Sequence, residues 1–323
     1  MAKDIVLTNS QSPGDIVVLT AAVRDLHRCY PGSFRTYVQT SAIELWDNNP
    51  LVLRDASPPK TAVKIECRYP LIHSSNMLPL HFIHGFINFL NQALDLSILP
   101  TRFSGDIYLS ESEKERYNHL KALAAGRQVW ILNAGGKTDF TTKHWIRERW
   151  QKVVDYFREE ILFVQVGAKG DIHSRLKDVH DLVGHTSLRD LVSLVYACDG
   201  IVCPVTFLMH LAAAVPTKQA GLRPCVVIAG GREPPHWEAY PGHQFIHTVG
   251  ALKCCQNGGC WKSKRFPSEL DFDAGESEQL LCEDMLDDWP RCMQLISVGR
   301  VCSSVDIYLK GLNTMPVKKA SGS

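Results

Sequence analysis

The residues in this chain that could do chemistry sit in short polar turns and in one run of cysteines. "SPGD", Ser12 to Asp15, follows the apolar stretch "DIVLT" and opens a run with helical apolar spacing. Asp15 has two readings there. It can cap the helix, because a carboxylate accepts backbone N–H bonds and suits the positive helix end, which would lower its pKa. Or it can stand at the mouth of a cleft and take a proton from an acceptor hydroxyl, with Gly14 letting the substrate approach. "NAGGKTDFTTKHW" lies between an apolar strand and an amphipathic run. Its glycines and hydroxyls, with Lys137 and Lys143, suit a diphosphate or an ordinary hydroxyl-capped turn. It is not the G-x-x-x-x-G-K-[ST] phosphate loop. In "VGAKGD", Asp171 could bond a ribose or cap a helix. In "CPVTFLMHLAAA", the N–H groups of Thr206 and Phe207 could meet a phosphate, and His210 could join them or be a core histidine. In "AGGREPPHW", Arg232, Glu233 and Trp237 could frame a base or sugar, or stiffen a loop.

The second constellation is thiol-rich. Of the 11 cysteines, Cys254, Cys255, Cys260, Cys282 and Cys292 crowd into one segment, while the others are dispersed in apolar surroundings as small core residues. Taking Cys255 as the first ligand, the spacing is C-x4-C-x21-C-x9-C, with Cys254 as its alternate. That is no standard zinc finger. Four thiolates suit one structural Zn or Fe ion, and Gly258 and Gly259 permit a tight ligand loop. A complete set of four leaves no open position for catalysis. Free or disulfide-bonded cysteines are the other reading.

Strand–helix alternation must position these groups. Strands are expected at "DIVLT", "RTYVQ", "TAVKIE" and "DIYLS", with helices from Asp15 to Tyr30 and from His81 to Leu94. The pattern restarts at "VWILNAGG" and continues through helix "KHWIRERWQKVVDYFREE", strand "ILFVQVGAKG", helix "DIHSRLKDV", strand "DLVGHT", helix "SLRDLVSLVYAC", strand "GIVCPV", helix "TFLMHLAAAV" and strand "PCVVIAGG". This is the signature of parallel sheets with helices on both faces, and ligands bind such folds at the carboxyl ends of the strands. The chain is expected to divide into two Rossmann-like domains, residues 1–115 and 126–250, followed by the Cys-rich metal finger, 251–295, and a C-terminal helix, 296–313. At 323 residues, two domains are the default. A net charge of +1, with both signs spread along the chain, removes the case for general nucleic-acid binding. No apolar run reaches membrane-spanning length, and "MAKDIVLTN" lacks a signal-peptide core, so a cytoplasmic protein is expected.

Taken in order, "GDIVVLTAAVRDL", "TTKHWIRERW", "VGAKGD", "GHTSLRDLVSLVYACDG" and "VTFLMHLAAAVPT" resemble glycosyltransferase family 9, mainly ADP-heptose-dependent heptosyltransferases. The resemblance implies a GT-B fold of two facing Rossmann-like domains, 1–115 on the acceptor side and 126–250 binding the nucleotide sugar, with inversion of configuration and no catalytic metal. It implies Asp15 as general base, Thr142 and Lys143 on the diphosphate, Asp171 near the ribose, and Thr206 and His210 at a phosphate-binding helix start. Gly14, Phe207, Arg232 and Glu233 complete the donor side. The sequence departs from the pattern at one point. Lipopolysaccharide heptosyltransferases carry an acid in a D-T-G-x-x-H element, whereas Val205, Thr206 and Phe207 fill its first three places here. The Cys-rich segment and "HSSN…HF" (His73 to Asn76, then His81 and Phe82) resemble the autotransporter heptosyltransferase subgroup, which modifies serines of bacterial surface proteins. The resemblance leaves the acceptor open, with a protein Ser or Thr hydroxyl among the candidates. In the expected single displacement His73, Asn76 and His84 line the acceptor side, and a homo-oligomer is among the expected partners. The rival expectations are a GT-B enzyme using another sugar nucleotide, an epimerase on the same scaffold, and a nucleotide-sugar-binding scaffold without transferase activity.

Overall fold

The computed structural model describes residues 2–54, 56–218, 221–267 and 279–311. Among these, the N-terminal lobe is a parallel sheet of order β2-β1-β3, formed by β1 (Lys3–Asn9), β2 (Phe34–Thr40) and β3 (Val63–Glu66). Helix α1 (Pro13–Cys29) returns from β1, and α2 (Phe82–Leu94) packs on it. Pro13 at the first helical position costs nothing, since its missing N–H would have no intrahelical partner. His81 caps α2: its Nδ1 accepts from the Ile83 N–H, and His84 Nδ1 accepts in turn from the His81 N–H. Two short helices, α3 (Glu111–Glu115) and α4 (His119–Ala124), lead into the second lobe.

The second lobe holds the larger parallel sheet. It is built from β4 (Gln128–Leu132), β6 (Ile161–Gln165), β8 (His180–Asp181), β9 (Gly200–Pro204), β10 (Cys225–Gly230) and β11 (His243–His247), in the order β11-β10-β9-β4-β6-β8. Successive residues of β4 face opposite sides, as the pleat requires. Val129 and Ile131 enter one core, and Trp130 and Leu132 the other. The first core is continuous through both lobes, from Ile5 and Leu7 of β1 to Val227 of β10. Helix α1 lies on α7 (Phe207–Ala214), so the lobes are packed together at the root of the cleft. A buried ion pair between α3 and α6 (Leu188–Ala197) reinforces this. There the Arg189 guanidinium donates to both Glu113 oxygens at 2.7 Å and to the Tyr108 carbonyl at 2.8 Å.

Four expected elements differ. "DLVGHT" is a strand only at Asp181, which closes the two-residue β8. "DIYLS" forms no strand; the Ile107 N–H bonds instead to the Ala214 carbonyl at 3.4 Å, and the Tyr108 carbonyl serves Arg189. The segment joins the lobes rather than extending the first sheet. "DIHSRLKDV" forms no helix: β7 (Ile172–His173) pairs antiparallel with β5 (Gly135–Gly136), and Leu176 and Val179 pack on the second core from an irregular strap. Helix α5 (Arg147–Tyr156) starts later than expected, because Thr138–Lys143 forms a 3-10 segment. The C-terminal helix spans Val298–Leu309, and the last two residues of the 296–313 unit lie outside the described residues, as does part of the 251–295 segment. Among the described residues no helix is long and apolar enough to cross a membrane.

Candidate active site

A cavity of about 410 Å³ opens between the lobes. The turn after β1, the loops after β4, β6, β9 and β10, and the start of α7 all reach it, so it lies at the carboxyl ends of the strands. Gly14, Asp15, Lys143, Asp171, Thr206, Phe207, His210, Arg232 and Glu233 all line it.

Asp15 occupies the third helical position of α1, and Ser12 is the cap residue without a side-chain capping bond. Tyr69 Oη donates to Asp15 Oδ1 at 2.5 Å. Burial raises the Asp15 pKa above its ordinary 3.8; the Tyr69 hydroxyl, the backbone amides of Asp15 and Ser12, and the Lys143 ammonium oppose it without cancelling it. The lowering expected of a capping carboxylate is therefore overridden by burial. Gly14 has a different reason from the one expected. A Cβ there would stand 2.9 Å from His210 Cδ2 and 3.7 Å from Phe207 Cα. The glycine allows α1 to meet α7, which brings the Asp15 carboxylate up to the second lobe.

The opposite wall is a charge cluster. Lys143 Nζ lies 2.6 Å from Glu233 Oε1, which also pairs with Arg232. The Arg232 guanidinium stacks over Phe140 and Trp261 at 5.0 and 5.3 Å from the ring centroids, and its Nε donates to the Lys262 carbonyl at 2.9 Å. The backbone at the start of α7 presents N–H groups without intrahelical partners. His210 is fully packed: its Nδ1 meets Tyr240 Oη at 2.7 Å. Burial first, then Lys143, His81 and His243, push its pKa down to about 3, so it is a neutral imidazole. It can offer a hydrogen bond, not a charge, to an anion.

Four residues expected at the site do not line the cavity. Thr142 Oγ1 donates to the Lys262 carbonyl at 2.8 Å, and its N–H bonds to the Ser263 carbonyl. It holds the Cys-rich segment and does not line the cavity. Asn76 grips the same segment. Its Nδ2 donates to the Gly259 carbonyl at 2.8 Å, and its Oδ1 accepts from the Gly259 N–H at 3.1 Å and Trp261 Nε1 at 3.0 Å. Neither His73 nor His84 is among the cavity residues; His84 closes the α2 capping box and lies against Phe103. The two stretches that carried the subgroup resemblance thus touch each other. The clasp holds Trp261 at φ 57°, a left-handed backbone that bulky residues rarely adopt, and Trp261 lines the cavity. The Cys-rich segment therefore forms part of the cavity lip, closer to the chemistry than its expected structural role implied.

The cysteines converge on the turn after β10. A Cβ on Gly231 would stand 3.1 Å from Cys255 Sγ and 3.3 Å from Cys292 Cβ, and the Cys260 N–H bonds to the Gly231 carbonyl at 3.1 Å. Cys282 lies within electrostatic reach of Cys254, Cys260 and Cys292. All 11 cysteines are free. Among the described residues, no group of three or more His, Cys, Asp or Glu side chains is arranged to hold a metal ion. The donors fit a soft metal in identity and neighbourhood, but a closed four-thiolate centre is not shown.

Sequence reading missed Tyr69, Trp261 and Glu238. Tyr69 follows β3 and carries the same strand-end signal as the other turns. Nothing local marks Glu238, whose role depends on what the fold packs around it.

The model of glycosyltransferase family 9 (heptosyltransferase) matches residues 80–223, from the start of α2 to just before β10. Asp15 and the Arg232–Glu238 wall lie outside the matched stretch. The fold is similar to that of a family 9 glycosyl transferase from Veillonella parvula, at 14% identity and TM-score 0.69, covering 96% of this chain and 97% of that one. It is similar to ADP-heptose LPS heptosyltransferase II of E. coli, at 16% identity and TM-score 0.59, covering 96% and 100%. It is also similar to the iron-containing dodecameric glycosyltransferase TibC of enterotoxigenic E. coli, at 15% identity and TM-score 0.62, covering 96% and 78%. No curated protein matches the chain in sequence. The family match and the whole-chain fold together support a glycosyltransferase.

Proposed function

We propose that the chain is an inverting glycosyltransferase that moves a heptose from ADP-heptose to an acceptor hydroxyl, with Asp15 as general base. One observation carries the reading. A carboxylate of raised pKa from the first lobe and the Lys143–α7 anion cradle of the second line the same cavity, close enough for Lys143 to act on Asp15 electrostatically. A single displacement needs that arrangement: a base on the attacking hydroxyl and positive charge on the departing diphosphate. ADP-heptose is favoured because TibC was solved with ADP-D-β-D-heptose and another fold relative is an ADP-heptose enzyme. A protein serine or threonine is the acceptor we favour, since the Cys-rich segment and the "HSSN…HF" element resemble the subgroup that modifies such residues. The test is mass spectrometry of serine-containing surface-protein peptides incubated with the chain and ADP-heptose. A heptosyl mass increase matched by ADP release is expected. ADP-heptose binding without product would favour the idle scaffold, and transfer from a different sugar nucleotide would replace the donor.

We also infer one structural metal ion, iron or zinc, held by Cys260, Cys282, Cys292 and either Cys255 or Cys254. The approach of Cys255, Cys260 and Cys292 to Gly231, with Cys282 within electrostatic reach of Cys260 and Cys292, supports it, and TibC is described as iron-containing. The ion would cross-link the lip that carries Trp261, and a cysteine-rich segment read as a metal centre suits a reducing cytoplasm. The dodecameric relative points to a homo-oligomer. Purified chain should carry about one equivalent of metal per chain, and Cys282→Ser should lose it together with several degrees of Tm. Elemental analysis and a melting curve check both, and a metal-free chain with unchanged melting would refute the inference.

A further inference from the structure

Glu238 closes the four-residue helix Pro235–Glu238 after β10 and forms part of the cavity wall. Its side chain is only 8% exposed, and its Oε2 has no hydrogen-bond partner among the described residues. The nearest cationic candidate, His210 Nε2, is 3.8 Å away and belongs to a neutral ring already bonded to Tyr240. The cavity's two nearby permanent cations, Lys143 and Arg232, are both paired with Glu233. A buried polar oxygen left in this way costs free energy unless a ligand satisfies it.

The surroundings say which kind of ligand. Glu238 is faced by Asp15 from α1, by Glu233, Lys143 and Arg232 from the second lobe, and by the Tyr69 and Tyr240 hydroxyls and His210. Burial, with the Glu233 carboxylate next, pushes its pKa up to about 8. Near neutral pH it is a protonated acid, which donates one hydrogen bond and accepts another. That matches a sugar hydroxyl and does not match a phosphate, which the cations and the α7 amides serve. At the end of β9 the side chain is Val205, buried and apolar, so that turn supplies no carboxyl to a sugar.

Resting on the transferase reading, we propose that the Glu238 carboxyl is a specificity-determining group that recognises a hydroxyl of the donor's sugar, as donor and acceptor at once. Calorimetric titration of the full chain with ADP and, separately, with ADP-heptose tests it. Glu238→Ala should bind ADP within about twofold of wild type and ADP-heptose about tenfold more weakly. Glu238→Gln, whose amide also donates and accepts, should recover most of that loss. Between pH 7 and pH 9 the wild-type preference for ADP-heptose over ADP should shrink, because deprotonation removes the donated bond, and in Glu238→Gln it should stay level. The proposal is overturned if Glu238→Ala keeps the full preference, or if it weakens ADP and ADP-heptose equally, as a merely structural loss would. Wild-type chain that binds no ADP would instead overturn the transferase reading beneath it.

Discussion

Asp15→Asn is expected to lose roughly 10²–10⁴-fold in turnover, the range a positioned base supplies, while ADP affinity stays within about threefold. The substitution keeps shape and keeps an oxygen to accept the Tyr69 hydroxyl, so the start of α1 should survive. What it removes is the ability to take a proton. The wild-type pH profile gives a second check. The base must be ionised to act, and burial raises the Asp15 pKa, so activity should fall on the acid side at a pH above the ordinary 3.8. That limb should be absent from the residual activity of Asp15→Asn. Initial rates of ADP release across pH, with calorimetric ADP binding at one pH, measure all of this. Near-normal turnover in the variant would remove Asp15 from the base role.

Lys143→Met is expected to act on the other end of the displacement. As the sugar–oxygen bond breaks, charge gathers on the departing diphosphate, and removing one aimed donor from such a site costs roughly 10²–10³-fold in kcat. Lys143 Nζ is held by Glu233 at 2.6 Å and its side chain is 19% exposed toward the cavity. After the substitution Glu233 still has Arg232, so no buried carboxylate is orphaned and the fold should hold. ADP affinity should weaken together with kcat, unlike in Asp15→Asn, because the ground state also carries the diphosphate. Retention of both affinity and turnover would move the diphosphate away from Lys143.

The contrast between these two residues and Thr142 shows what the sequence could and could not display. Asp15, Lys143, Thr206 and Asp171 sit in the turns and loops that follow strands, and an alternating apolar pattern reveals where strands end. Thr142 stands beside Lys143 and carries the same local signal, yet its hydroxyl turns to the Lys262 carbonyl, 120 positions along the chain. Asn76 behaves in the same way toward Gly259 and Trp261. Partners so distant in sequence leave no mark on composition or periodicity. Glu238 is the extreme case: its chemistry arises from burial and from the carboxylate of Glu233, quantities that exist only once the chain has folded. The missing strand and the missing helix have the same origin. Ile107 and Tyr108 have the alternation of a strand, but their backbone is used to join the lobes. Ile172, Leu176 and Val179 have helical spacing, but Ile172 pairs with Gly136 on the edge of the cavity.

The geometry of attack is tested most directly by a structure of the Asp15→Asn chain with ADP-heptose. The diphosphate is expected against Lys143 and the start of α7. The introduced carboxamide at position 15 is expected on the side of the sugar opposite the leaving group, with room for a hydroxyl at about 3–3.5 Å from the reactive carbon. A closed, liganded structure in which the side chain at that position faces away from that carbon would contradict it.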